Sequence, residues 1–331
     1  MGELSQMAKA AQNAMIHVLN LKAEDEVLVV TDEVTQRIGE AFQNAAAEYG
    51  CRVATYTLVE QGRPMTEVPG ELRDMLEGKT VAINAFKALA EEVPFRIKWI
   101  LDIIATKRIL LGHCPGITEK MMTEGPMNVD YPTMLANAEN LMQSFQHAKS
   151  THITTAGGSD LVLDIEDRAF LTDVKATIEH GSNLPCGEIF CAPVETAANG
   201  LLVIDGTVSH LGQLTQPLHM TLRDGRIQKM ECEDQEMITR VEKLLGADDE
   251  AKVIGELGIG VNPGAKLVGN MLEDEKAFRT AHIAFGNNAE FPGGQNHSTT
   301  HHDFLFRQPT FVVTYKDGST RTLIEDGEFR V

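Results

Sequence analysis

The chain has 331 residues, is 43% hydrophobic and carries a formal net charge of −19. That length supplies a large core or two domains. The charge excludes a general binder of nucleic-acid backbones or of anionic membrane surfaces, and most of it reads as a solvated acidic surface.

Met1 to Lys22 reads as an amphipathic helix, with Leu4, Met7, Ala8, Ala11, Met15 and Leu19 at helical spacing, rather than as a secretory signal. No apolar run reaches the roughly 18 residues of a membrane span, so no membrane partner is expected. The five cysteines, Cys51, Cys114, Cys186, Cys191 and Cys232, are scattered and lack a Cys-x-x-Cys pair. They fit a reduced, cytoplasmic protein whose thiols pack as small apolar groups. Glu26 to Thr31 reads as a short buried strand, residues 33–49 as a helix stopped by Gly50, and Arg52 to Leu58 as a second strand. Thr80 to Ala85 and Arg108 to Gly112 repeat the strand signal, while Pro94 to Lys107 and Asp130 to Lys149 read as helices. Strands alternating with helices predict a mostly parallel open sheet. The first turn, Thr31-Asp32-Glu33, is acidic and lacks the glycine fingerprint of dinucleotide sites.

Near residue 150 the texture changes. Thr151 to Thr155 and Asp160 to Ile165 read as strands joined at Gly157-Gly158, and Leu201 to Ile204 as a further strand. His219–Leu222 and Arg226–Met230 flank Asp224-Gly225, and Phe311–Tyr315 and Thr320–Ile324 flank Asp317-Gly318, two hairpin signatures. A helix over about Gln235 to Leu245 interrupts them. The expected architecture is therefore an α/β N-terminal domain with a mostly parallel open sheet, residues 1–150 and Rossmann-like in layering. A β-rich α+β domain follows, residues 151–331.

The chemistry concentrates in residues 282–303. His282 opens an apolar stretch, a Gly/Asn/Pro-rich loop follows, and His301-His302-Asp303 feeds the apolar run Phe304-Leu305-Phe306. Residues i and i+2 of a strand share a face, so His301 and Asp303 project together and His302 points away. Two imidazoles and a carboxylate from two strands form a ligand set for a divalent transition metal. Two glutamates stand in unusual surroundings. Glu188 sits among apolar residues behind Pro185 and Gly187, and Glu256 is the only charge between Val253 and Ala265. A buried carboxylate must be paired, protonated or metal-bound. Glu195 is a further candidate near the site, and His180 and Asn183 approach the same region in sequence. Phe285, Phe291, Phe304 and Phe306 cluster around the motif and read as core.

The segments Asn183–Pro193, Glu256–Asn262, His282–Gly286 and Gly293–Asp303, in this order, resemble the signature segments of the aminopeptidase T / aminopeptidase S family of metallopeptidases. The resemblance covers most of 150–315. It implies an α/β domain followed by a β-rich catalytic domain, a homodimer, and two divalent ions (Zn, Co or Mn) on Glu188, Glu256, His282, His301 and Asp303, with Glu256 bridging. It implies removal of N-terminal residues from peptides by a metal-activated water, with Glu188 or Glu195 shuttling the proton to the leaving amine. Family peptidases carry a tyrosine soon after the first histidine; here no tyrosine lies between Tyr131 and Tyr315, and Ala289 falls near that place. His297 or His302 could replace it at the substrate. The same scaffold resembles the 2,5-dihydroxypyridine dioxygenases, for which His282, His301 and Asp303 would hold one Fe(II). A third reading is a non-catalytic metal- or ligand-binding homologue.

Overall fold

The computed structural model describes residues 5–331, so Leu4 of the first predicted helix lies outside the described residues. The chain divides into two compact units, residues 1–135 with 173–186, and residues 136–172 with 187–331.

The first unit is built on a five-stranded parallel sheet. Its order is Arg52–Leu58, Glu26–Asp32, Val81–Ala85, Leu110–His113 and the two-residue strand Ser182–Asn183. Glu26–Asp32 and Val81–Ala85 are buried almost throughout because helices cover such sheets. The helix Gln36–Tyr49 stops where Gly50 turns left-handed (φ 110°), a conformation that glycine adopts without the Cβ clash. The helix Gln6–Val18 is capped by the Ser5 side chain, which accepts from Ala8 N. Leu28, Val30, Leu58, Phe86, Phe95, Trp99 and Ile103 form one buried cluster.

The acidic first turn has a structural use. Asp32 Oδ1 accepts from the backbone N–H groups of Val34 and Thr35, which orients the start of the next helix. Its Oδ2 accepts from Lys87 N and from Arg63 Nη1, the latter at 2.7 Å. Arg63 Nε donates to Glu92 Oε1 at 2.7 Å, and all three side chains are buried. Burial raises the Asp32 carboxyl, but the bonds from Lys87, Arg63 and Thr35 outweigh it and leave its pKa below the usual value. Removing the shared cation strands two buried carboxylates. Arg63→Met should therefore cost about 3–5 kcal/mol, read as a lower urea midpoint at unchanged slope.

The second unit carries two antiparallel sheets. The eight-stranded one contains the neighbours Ala148–Thr154 and Asp160–Asp164, and the hairpins Leu218–Arg223/Arg226–Glu231 and Thr310–Tyr315/Thr320–Glu325. Asp224-Gly225 makes the first of these turns with positive φ at both positions, as the hairpin signature demands. The seven-stranded sheet runs Gly212–Gln213, Thr207–Val208, His301–Arg307, Thr280–Gly286, Ile254–Gly260, Glu188–Cys191 and Leu171–Thr172. An α/β unit with a parallel sheet and a unit rich in antiparallel strands is the expected fold class. One helix is shorter than predicted. It spans Tyr131–Ser144 rather than reaching Lys149, because His147 turns left-handed (φ 63°) and Ala148 opens a strand.

Candidate metal centre

Four adjacent strands of the seven-stranded sheet bring Glu188, Glu256, His282, His301 and Asp303 together. In an antiparallel pair, directly opposed residues project to the same face. Glu256, Ala284 and Asp303 occupy one register row, with the small alanine between the two carboxylates. The next row sets Gly258 opposite both His282 and Phe190, and the one after sets Gly260 opposite Glu188. Glu256, Gly258 and Gly260 therefore share one face, and both glycines create room there. A Cβ on Gly258 would lie 2.1 Å from Nε2 and Cε1 of His282, so the imidazole lies directly over that backbone. A Cβ on Gly260 would lie 2.1 Å from the carbonyl oxygen of Ala277. The glycines around Glu256 are thus the floor of the site rather than the mark of a strand edge, and Glu256 is 5% exposed.

The distances define two overlapping groups, Glu188/Glu256/His282 and Glu256/His301/Asp303, with Glu256 common to both. His301 Nε2 lies 2.9 Å from Glu256 Oε2 and 3.4 Å from Asp303 Oδ1. His282 Nε2 lies 3.5 Å from Glu256 Oε1 and 3.7 Å from Glu188 Oε2. Surrounding groups orient these side chains. His301 Nδ1 lies 2.7 Å from the carbonyl oxygen of Asn287, to which Nδ1–H donates, leaving Nε2 facing the carboxylates. Ser209 Oγ donates to Asp303 Oδ2 at 3.1 Å and accepts from Asp303 N at 2.9 Å.

The electrostatics follow from crowding acids and imidazoles in a buried place. Burial lowers the affinity of His282 for a proton, but the hydrogen bond and charge of Glu256, then the charges of Glu188 and Asp303, outweigh it and raise the pKa to about 9. His301 is raised for the same reasons, its partners being Asp303 and Glu256. Burial pushes Glu256 up, yet His282 and His301 bring it below the ordinary carboxylate range, and Asp303 is depressed by His301 in the same way.

The other candidates fall outside both groups. His302 lies on the opposite strand face, its ring edge-on to His210 at 5.6 Å. Burial and the neighbouring His210 lower its pKa to about 4. Glu195 clamps the loop before His301, accepting from Arg168 Nη2 at 2.8 Å, Asn288 Nδ2 at 3.0 Å and Gln295 N at 2.7 Å. His297 is exposed. His180 and Asn183 belong to the first unit, where Asn183 pairs with His113. Of the four phenylalanines, Phe285, Phe304 and Phe306 are fully buried. Phe291 instead is partly exposed, edge-on to His301 at 6.0 Å and 5.2 Å from Phe190. Sequence reasoning also missed Lys276. It is fully buried, ion-paired with Glu188 Oε1, and 2.6 Å from Glu275 Oε1.

The family model of the thermophilic metalloproteases (M29) matches residues 128–329. The chain belongs to the M29 family. Aminopeptidase AmpS of Bacillus subtilis (strain 168) is 24% identical to this M29 chain over 242 residues, 64% of the chain and 58% of AmpS. The match thus spans under two thirds of the curated relative's length. Two solved structures share the fold at a TM-score of 0.74 and 18% identity. AmpT from Thermus thermophilus aligns over 98% of this chain and 99% of its own, and 2,5-dihydroxypyridine dioxygenase from Pseudomonas putida KT2440 over 99% and 98%.

M29 membership implies a divalent metal, and the residues present fit one. Three carboxylates and two imidazoles converge, a hard-and-borderline donor set suited to Zn, Mn, Co or Fe(II). His282 Nδ1 is buried without a hydrogen-bond partner, while its Nε2 faces the carboxylates of Glu256 and Glu188.

Proposed function

We propose that this M29 chain is a metal-dependent, aminopeptidase-type hydrolase that removes N-terminal residues from peptides, with its chemistry in the second unit. The observation that carries the proposal is the convergence of Glu188, Glu256, His282, His301 and Asp303 on one sheet face, with Glu256 shared. A divalent ion bound there supplies Lewis acidity and lowers the pKa of a water toward ~7.

The remaining work belongs to the chain. Glu256, buried and ionised between both imidazoles, would hold the ion in this reading, and Glu188, whose Oε2 faces His282, would carry the proton to the leaving amine. The Asn287 carbonyl fixes the tautomer of His301, and Ser209 fixes the rotation of Asp303. Phe190 and Phe291 offer an apolar wall beside His301 for a substrate side chain. Glu195 serves by holding the loop that carries Phe291, and exposed His297 on that loop remains a candidate substrate contact. The homodimer and the cytoplasmic location belong to the same proposal, checked by light scattering and cell fractionation.

Elemental analysis of protein purified without chelators, combined with aminoacyl chromogenic substrates and oxygen electrode traces, tests this reading. Turnover that a chelator abolishes and a divalent ion restores is expected. Bound iron with oxygen uptake and no aminoacyl hydrolysis would favour the dioxygenase chemistry, and bound metal with neither activity the non-catalytic homologue.

A pH dependence also follows. The imidazolium forms of His282 and His301 must lose their protons before an ion binds. Apparent metal affinity should rise with pH by about tenfold per unit for each proton displaced, the part due to His282 levelling off above about pH 9. The sign for stability is opposite. Because the folded pKa of His282 is raised, its contribution to the metal-free fold is fully present below about pH 6.5. It is lost as pH rises through about 9. Calorimetric titration and melting of the metal-free protein across this range check both signs.

A further inference from the structure

The two groups around Glu256 are not equivalent. The ion-pair partners of Glu256 and Asp303 are imidazoles, which release a proton and bind an ion in its place. On the other side, Glu188 Oε1 is held by the ammonium of Lys276, which cannot serve as a ligand while charged. Lysine is almost never fully buried unless paired, and Lys276 is fully buried between Glu188 and Glu275.

The backbone builds this contact in. Asn262 N donates to the Lys276 carbonyl at 2.9 Å, and Lys276 N donates to Glu273 O at 3.1 Å. The bare Cα of Gly260, opposite Glu188 in register, lets the Lys276–Ala277 backbone lie against the strand. A Cβ there would come within 2.8 Å of the Lys276 carbonyl carbon. The lysine is therefore fixed by main-chain contacts rather than reaching in from a mobile loop.

We propose that Lys276 stands in for one of two cations: its ammonium holds the Glu188 side of the centre, and a single divalent ion occupies Glu256, His301 and Asp303. This rests on the metal-site reading above. An ion on Glu188, Glu256 and His282 would have to share the Glu188 carboxylate with the ammonium, and like charges on one carboxylate repel. In this arrangement Lys276 is a positioning residue. It fixes the Glu188 carboxylate with Oε2 toward His282.

The test counts ions rather than turnover. Metal-free wild-type protein and the Lys276→Met variant are titrated with Zn(II), and bound zinc is measured by calorimetry and elemental analysis. One equivalent in the wild type and two in the variant is the expected result, with one equivalent retained in Lys276→Arg. Two equivalents in the wild type, or one in Lys276→Met, would overturn the role of Lys276 while leaving the metal site standing. No zinc in any variant would remove the metal site and this inference with it. If Lys276→Met fails to fold, the pair Lys276→Met/Glu275→Gln removes the charge together with its partner and is scored in the same way.

Discussion

Glu256→Ala is expected to abolish metal binding and to lower any hydrolysis by at least about 10³-fold, more than any other single change at the site. Glu256 belongs to both candidate ligand groups, so its loss breaks each of them. It is also the nearest acid to both imidazoles, at 2.9 Å from His301 and 3.5 Å from His282. Glu256→Gln should behave alike, because the amide keeps the volume but loses the charge that the ion requires. The change strands two buried imidazolium groups, but these can relieve that cost by releasing their protons, so the protein should stay folded with reduced stability. His302→Ala is the control within the same motif. It sits on the opposite strand face beside His210 and should keep its metal. Elemental analysis of the three variants side by side is decisive. Full stoichiometry in Glu256→Ala would end the assignment of Glu256, and metal loss in His302→Ala would mean that the strand register is off by one.

The legibility of this fold tracked the strength of local signals. Arg52–Leu58 was read at its true bounds because a strand with β-branched residues follows a glycine stop. The hairpins at Asp224-Gly225 and Asp317-Gly318 were legible because the turn itself dictates the residues. The return of residues 173–186 to the first unit was not, because a two-residue strand such as Ser182–Asn183 has no periodicity to read. The site divides along similar lines. His301 and Asp303 announce themselves by a two-residue spacing, and Glu188 and Glu256 by standing alone among apolar neighbours. Lys276 sits in Glu273-Asp274-Glu275-Lys276, which reads as an ordinary solvated charge run. Tertiary contacts with no sequence signature turn that run inward: Asn262 N donates to the Lys276 carbonyl, and Asp274 accepts from Thr207 and from the N–H groups of Val268 and Gly269.

Gly258→Ala is expected to weaken metal binding by about 10–100-fold, the effect of disturbing groups that orient a metal ligand. The added methyl would lie 2.1 Å from both Cε1 and Nε2 of His282, inside the ring's own space. His282 is 1% exposed and its strand is paired on both sides, so the backbone cannot yield and the ring must swing away. Whether His282 binds the ion or holds Glu256 in place for it, that swing removes the imidazole from Glu256 Oε1. Overpacking should also cost about 1–3 kcal/mol, partly offset by the roughly 0.4–1 kcal/mol that an alanine gains by restricting the unfolded chain. Gly258 does not require a left-handed φ, so backbone strain adds nothing to that sum. Gly70→Ala, where an added methyl meets nothing within 4 Å, supplies the comparison and should leave metal affinity unchanged. Zinc titrations and melting curves on both variants separate the two effects. Wild-type affinity in Gly258→Ala would mean that the centre works without His282 over that glycine, and His282 would then leave the candidate site.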